Sequence, residues 1–179
     1  MKAWKKLGQR VSNIGYRPLI FKNYLLPDGN EREFTIYGNQ GDRGVAVIAL
    51  TPDNKVVIAR QFRPGPEKIM DELPGGLVDP GEEPLESIKR ELKEETGYTS
   101  DDLRYLGVAY RDAYNNTETH YYLAKNCIKT SDQTLDDAEF IEVDTISISE
   151  LLENAMNGKM TDSPAVLLAY SELQNLVIQ

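Results

Sequence analysis

The alternation of apolar and polar positions divides the chain into many short strands with helices among them. GVAVIAL at 44–50 is apolar at nearly every position, which predicts an interior strand covered on both faces. The turn PDN at 52–54 and KVVIARQF at 55–62 complete a hairpin with it. An earlier hairpin is expected from Tyr16 to Tyr37, where YRPLIFKNYLL and REFTIY flank the turn-like PDGN at 27–30. Residues 1–15 are basic, polar and weakly patterned, and no element is assigned to them. RPGPEK reads as a loop and IMDELPGG as a short strand ending in two glycines. From Pro84 the period changes to 3.6, with Leu85, Ile88 and Leu92 as the apolar stripe and Gly97 as the stop signal. Strands are expected over 103–110 and 119–124, joined by the polar RDAYNNTE. An acidic loop at 130–138 precedes a short strand, FIEV at 140–143. Helices are expected over 147–157 and 162–176, the latter capped at Asp162-Ser163-Pro164. This order predicts an α/β fold with helices packed against mixed sheets.

Composition narrows the function. A chain of 179 residues suits one domain with one principal cleft. Twenty Lys+Arg against 29 Asp+Glu give a net charge of -9, which offers no broad basic surface to nucleic acid or anionic lipid. A polyanionic substrate would be steered locally, by a few arginines and a bound cation. Cys127 is the single cysteine, so neither a disulfide framework nor a cysteine metal site is expected. No stretch approaches the roughly 18 apolar residues of a membrane span. The start MKAWKKLGQRV has the positive charge of a signal peptide without the apolar run, so the cytoplasm is the expected compartment.

The proposed helix after Pro84 carries the chemistry. Glu91 and Glu95 stand four apart and Glu91 and Glu94 three apart, so the three project from overlapping parts of one face, with Glu82 in the loop before them. Like charges this close repel unless compensated, and a divalent cation compensates them economically. Oxygen-only ligands favour Mg²⁺ first and Mn²⁺ second. Arg90 can pair with Glu86 or Glu94, or reach Glu82, and so hold a carboxylate in place. The plainer alternative is a solvated face of a surface helix. A double glycine and a proline-glycine turn beside it, where backbone can approach a ligand closely, favour the site.

Gly76, five residues, Glu82, seven residues, then Arg90-Glu91-Leu92-Lys93-Glu94-Glu95-Thr96-Gly97-Tyr98 resembles a complete Nudix box, with Tyr98 a mild departure at its last hydrophobic position. The resemblance implies an α/β/α sandwich with a mixed sheet, in which the box forms a loop-helix-loop. It implies that Glu91, Glu94 and Glu95 bind divalent ions with the carbonyl of Gly75, that Glu82 supports the loop, and that a water-derived nucleophile cleaves a pyrophosphate. QFRPGPEKIMDELPGGLVDPGE, TETHYYLAKN and DDAEFIEV are similar to segments of the ADP-ribose and nucleotide-sugar pyrophosphatase branch. That branch implies a nucleotide-sugar substrate, and N-terminal strands (1–42) through which two copies dimerise and complete each other's sites beside a catalytic domain (43–179).

The branch resemblance also implies an acidic residue near the metals at Glu118 and a base on the acidic loop, where Asp136, Asp137 and Glu139 stand and Glu139 is preferred. The alternative leaves Glu139 as an exposed strand-start residue and gives water activation to a box glutamate. Arg63 suits a phosphate or a surface ion pair. Tyr110, Tyr114 and Trp4 suit stacking on a base, or packing and interface roles. His120 and Cys127 read as structural. Ala113 and Tyr114 stand where ADP-ribose enzymes of the family often carry a proline, so the expectation is a nucleotide-sugar enzyme acting on ADP-ribose, GDP-mannose or a relative, without a stable nucleic-acid partner. The competing readings are a hydrolase of nucleoside triphosphates, dinucleoside polyphosphates or RNA 5′ ends, and a noncatalytic nucleotide-sensing domain.

Overall fold

The computed structural model describes residues 1–15, 17–38, 41–137 and 139–178. Tyr16, from which the first hairpin was expected to start, lies outside them. The chain forms two compact units, one of Met1–Arg43 with Tyr110–Thr119, the other of Gly44–Ala109 with His120–Gln179.

The first unit is built on an antiparallel sheet in the order β1 (Lys5–Ile14), β2 (Arg17–Leu25), β3 (Glu31–Tyr37). The expected hairpin is β2 and β3, closed where the Leu26 N–H donates to the Asn30 carbonyl at 2.8 Å and Gly29 takes a φ of 85°. The apolar pattern assigns no element where β1 lies. All ten of its residues are exposed, so no alternation of inside and outside marks it in the sequence.

The second unit holds the core. β4 (Arg43–Leu50), β5 (Lys55–Arg63), β6 (Lys68–Glu72), β7 (Gly75–Leu77), β9 (Asp102–Tyr110), β10 (Glu118–Lys125) and β12 (Glu142–Ser147) make a seven-stranded mixed sheet. Its backbone order is β12-β5-β4-β10-β9, with β6 on β5 and β7 on β4. The short β8 (Tyr98–Thr99) and β11 (Ile128–Lys129) pair separately. Along β4 the side chains alternate between two cores, as the pleat requires. Val45, Val47 and Ala49 pack with Val57, Tyr122, Ala124 and the helix α1 (Pro84–Thr96). Ala46, Ile48 and Leu50 pack on the other side with Leu151, Val166 and Leu173 of α2 (Ile148–Met156) and α3 (Ser163–Val177). The result is the α/β/α sandwich expected, with β4 covered on both faces.

α1 begins at Pro84, where a missing N–H costs nothing, and ends at Gly97, whose φ of 76° lets its N–H reach the Lys93 carbonyl at 2.8 Å. Its buried stripe differs from the expectation. Ile88 and Leu92 are buried, but Leu85 is 40% exposed. Ser87, Glu95 and Thr96 are buried in its stead, because the face between α1 and the sheet also receives the carboxylate end of the helix.

Three other boundaries move. FIEV is a strand only in its second half: Glu142 and Val143 open β12, while Phe140 is 82% exposed before it. RPGPEK is a turn joining β5 to β6 in a hairpin. Asp162 makes no side-chain cap to α3, whereas the Ser147 hydroxyl caps α2 by accepting the Glu150 N–H at 3.1 Å. Among the described residues, no helix is long and apolar enough to cross a membrane.

Candidate active site

The site is assembled where β7 meets α1. β7 pairs antiparallel with β4, placing Gly75 opposite Ala46 and Gly76 opposite Val45. A Cβ at Gly75 would overlap the Val45 carbonyl, and one at Gly76 would overlap the Glu91 carboxylate. At Gly75 only glycine lets the backbone press against the sheet, and at Gly76 a side chain would displace the Glu91 carboxylate.

Two box glutamates are drawn inward. Glu95, 5% exposed, accepts the Gly75 N–H on Oε2 at 2.8 Å. Burial pushes its carboxyl up to about 8; the Gly75 N–H opposes the rise, and the charges of Glu91, Glu139 and Glu72 add to it. Glu91 is also held above the usual carboxylate range, first by burial, with Arg90 opposing and Glu94 and Glu139 reinforcing. Glu94 is the more exposed member of the set.

Arg90 is the local counter-charge. Its Nε and Nη2 donate to Glu82 at 3.3 and 3.1 Å, and its Nη1 donates to Glu91 and Glu94 at 2.9 Å each. The Glu82 partnership is the largest cause of a raised guanidinium pKa, and it holds the Glu82 carboxyl below its ordinary value. Of the pairings open to Arg90 in the sequence, Glu82 and Glu94 are realised, while Glu86 pairs with Lys89 at 3.0 Å. Among the described residues no group of three or more acidic, His or Cys side chains is gathered as a metal cluster. The donor chemistry nonetheless fits a hard cation: the carboxylates are all-oxygen donors, Glu95 is buried, and one arginine is shared among Glu82, Glu91 and Glu94.

Glu139 does not begin a strand. It lies half-buried in a turn, where its N–H donates to the Asp136 carbonyl at 2.9 Å and its Oε2 accepts the Asp136 N–H at 3.1 Å. Its charge is felt by Glu91 and Glu95, so the turn brings it to the box carboxylates. Arg63 is engaged as an ion pair. Its Nε donates to Glu72 Oε1 at 2.7 Å and its Nη2 to Glu72 Oε2, which also accepts from Gln61 at 3.1 Å. Glu72 is 3% exposed and had not been singled out in the sequence, although a glutamate three residues before the double glycine is its signal. Gln133 was also missed. Its Nε2 donates to the Glu95 and Ile141 carbonyls at 2.7 and 3.2 Å, a link between distant positions that no local pattern carries.

The remaining expected residues belong to the other unit or to the frame. Glu118 Oε1 accepts the Tyr110 hydroxyl at 2.6 Å, and this bond raises the phenol pKa. The Tyr114 ring is exposed, while its N–H donates to Asp112 at 2.6 Å. Trp4 packs in a three-ring cluster with Phe34 and Tyr24, at centroid distances of 5.6 and 6.3 Å. His120 Nδ1 lies 3.4 Å from the Tyr105 hydroxyl, and Cys127 is buried in the core with its thiol pushed up to about 12 by burial.

Comparison with known proteins agrees with this geometry. The NUDIX domain family matches residues 41–167. The chain is 34% identical to the methanol dehydrogenase activator of Bacillus methanolicus, covering 83% of this chain and 81% of that protein. It is 31% identical to the ADP-ribose pyrophosphatase of Bacillus subtilis, covering 87% and 85% respectively, and 28% identical to the GDP-mannose pyrophosphatase of Yersinia enterocolitica, covering 78% of each. A solved structure described as an ADP compounds hydrolase shares the fold at a TM-score of 0.81 and 20% identity, covering 98% of this chain and 96% of that one. The chain belongs to the Nudix hydrolase superfamily and is an enzyme of it.

Proposed function

We propose that this enzyme hydrolyses the pyrophosphate bond of nucleoside diphosphate sugars such as ADP-ribose or GDP-mannose, giving a nucleoside monophosphate and a sugar phosphate, with Mg²⁺ as cofactor and Mn²⁺ as a substitute. The observation that carries this reading is the buried Glu95 beside the partly buried Glu91, both pressed against the backbone of a double glycine. Glu95 is buried with the Gly75 N–H as its donor and Arg90 is shared among Glu82, Glu91 and Glu94, so the charge gathered here is costly unless a cation is bound. The likeness to the ADP-ribose pyrophosphatase of Bacillus subtilis and the GDP-mannose pyrophosphatase of Yersinia enterocolitica supports the substrate class.

In this reading Glu91, Glu94, Glu95 and the Gly75 carbonyl hold the divalent ion, which supplies counter-charge to the diphosphate and makes a water easier to deprotonate. Arg90 fixes the rotamers of Glu82, Glu91 and Glu94 through its bonds to all three. Glu139 takes the proton of the attacking water on Oε1, since Oε2 is engaged by the Asp136 N–H. The water oxygen bonds to phosphorus as the bridging oxygen leaves with the second phosphate. Arg63, oriented by Glu72, meets a phosphate oxygen with the exposed part of its guanidinium. The assignments of Glu118 to the metal and of Tyr110, Tyr114 and Trp4 to the nucleotide base rest on the sequence resemblance. The chain acts as a homodimer through residues 1–42, with residues 43–179 as the catalytic part.

The decisive experiment incubates ADP-ribose, GDP-mannose, nucleoside triphosphates, dinucleoside polyphosphates and 5′-triphosphorylated RNA with Mg²⁺ in ¹⁸O-labelled water and identifies products by mass. Nucleotide sugars should turn over fastest. The double substitution Glu94→Gln with Glu95→Gln should reduce turnover by at least about a thousandfold while leaving a folded protein. Preference for triphosphates, or near-normal activity of the double variant, refutes the reading.

A further inference from the structure

The acidic loop that carries Glu139 is closed at its neck by one side chain. The Gln133 amide donates through a single nitrogen to the Glu95 carbonyl at 2.7 Å and to the Ile141 carbonyl at 3.2 Å. Those two acceptors are the last turn of the helix that bears the box glutamates and the residue just before β12. Residues 134–140 therefore leave and return at one point. The adjoining backbone reinforces the attachment to α1: the Thr134 N–H donates to the Glu94 carbonyl at 2.8 Å, and the Thr130 N–H to the Gly97 carbonyl at 2.9 Å. These acceptors are C-terminal carbonyls of a helix, which have no partner within it.

We infer that Gln133 is a positioning residue that sets the distance of Glu139 from the box carboxylates by tying both ends of its loop to the C-terminal turn of α1. Inside the loop, the turn from Asp136 to Glu139 is closed by its own backbone bond and by the Glu139 carboxylate itself. Asp136 and Glu139 are thereby tied to each other, and the neck sets where the pair stands. A base must stand within hydrogen-bond reach of the proton it takes, and a displacement of about 1 Å costs roughly a hundredfold in rate. This inference rests on the reading of Glu139 as the base.

The test is a double-mutant cycle on the full chain with ADP-ribose and GDP-mannose in Mg²⁺, joined to amide hydrogen exchange on the metal-free protein. Gln133→Met keeps the length and removes both donated bonds. It should lower kcat about ten- to a hundredfold with KM changed less than about threefold. Combined with Glu139→Gln, it should add almost nothing to the loss caused by Glu139→Gln alone, since a base that is absent cannot be misplaced. In the metal-free protein, Gln133→Met should speed exchange across residues 134–140 by tenfold or more, while the amides of α1 between Ser87 and Leu92 keep their protection. Should Gln133→Met fail to accumulate as folded protein, Gln133→Glu, of equal length but without the donor, is read in the same cycle. Losses that multiply in the double variant, or unchanged exchange in the loop, overturn the inference while leaving Glu139 as base. Full kcat in Glu139→Gln alone overturns the base and the inference together.

Discussion

Glu95 concentrates the electrostatic cost of the site in one side chain. Its carboxyl is pushed up to about 8 in the folded state from an ordinary 4.5, so between those values the folded protein binds more protons than the unfolded chain. Stability in EDTA should therefore fall as pH rises from about 4.5 to about 8 and level off above. The raised Glu91 carboxyl adds a fall of the same sign. A shift of this size corresponds to a loss on the order of 2–5 kcal/mol across the window, which denaturant titrations at pH 5 and 9 resolve. Glu95→Gln removes most of the slope, and Mg²⁺ reduces it in the wild type by competing with the proton. Equal slopes in the wild type and Glu95→Gln would show that the carboxylate is better solvated than its burial indicates.

At the scale of elements, α1 does two things with one surface: it anchors on Ile88 and Leu92 and delivers Glu91 and Glu95 beside that anchor. Leu92→Ala should cost about 2–5 kcal/mol of stability, whereas Leu85→Ala, on the exposed side, should cost under about 0.5 kcal/mol, both read as shifts in the denaturant midpoint. Comparable costs would place Leu85 in the buried stripe that periodicity alone suggests. Periodicity made α1 and β4 legible because each has buried apolar positions at its own period and a glycine or turn at its end. It failed where burial is absent or set from afar. β1 has no inward face, and of FIEV only Glu142 and Val143 join β12, the Ile141 carbonyl before them being taken by Gln133. The box residues could be read from spacing because one helix carries them. The Arg63–Glu72 pair could not, since it forms only once β5 and β6 lie side by side.

Across the whole molecule, charge is divided unevenly. The unit of residues 1–43 and 110–119 holds nine Lys+Arg against six Asp+Glu, while the other holds 11 against 23. β1 is the outer strand of its sheet, with one hydrogen-bonding edge unmatched within that sheet and Leu7, Val11 and Ile14 exposed. Such edges invite pairing with another chain. The proposed homodimer predicts a solution mass of about twice 20.2 kDa by light scattering, and Val11→Asp with Ile14→Asp should shift it to the monomer. A wild type that stays monomeric at tens of micromolar would remove the N-terminal sheet from the assembly. On the catalytic side, the sheet separates the core under α2 and α3 from the core under α1. A change of side-chain volume in the α2–α3 layer meets β4, β5 and β10 before it meets the carboxylates of α1's box. That layer is thus where the chain can absorb mutational drift, leaving the dimensions of the glutamate cluster undisturbed.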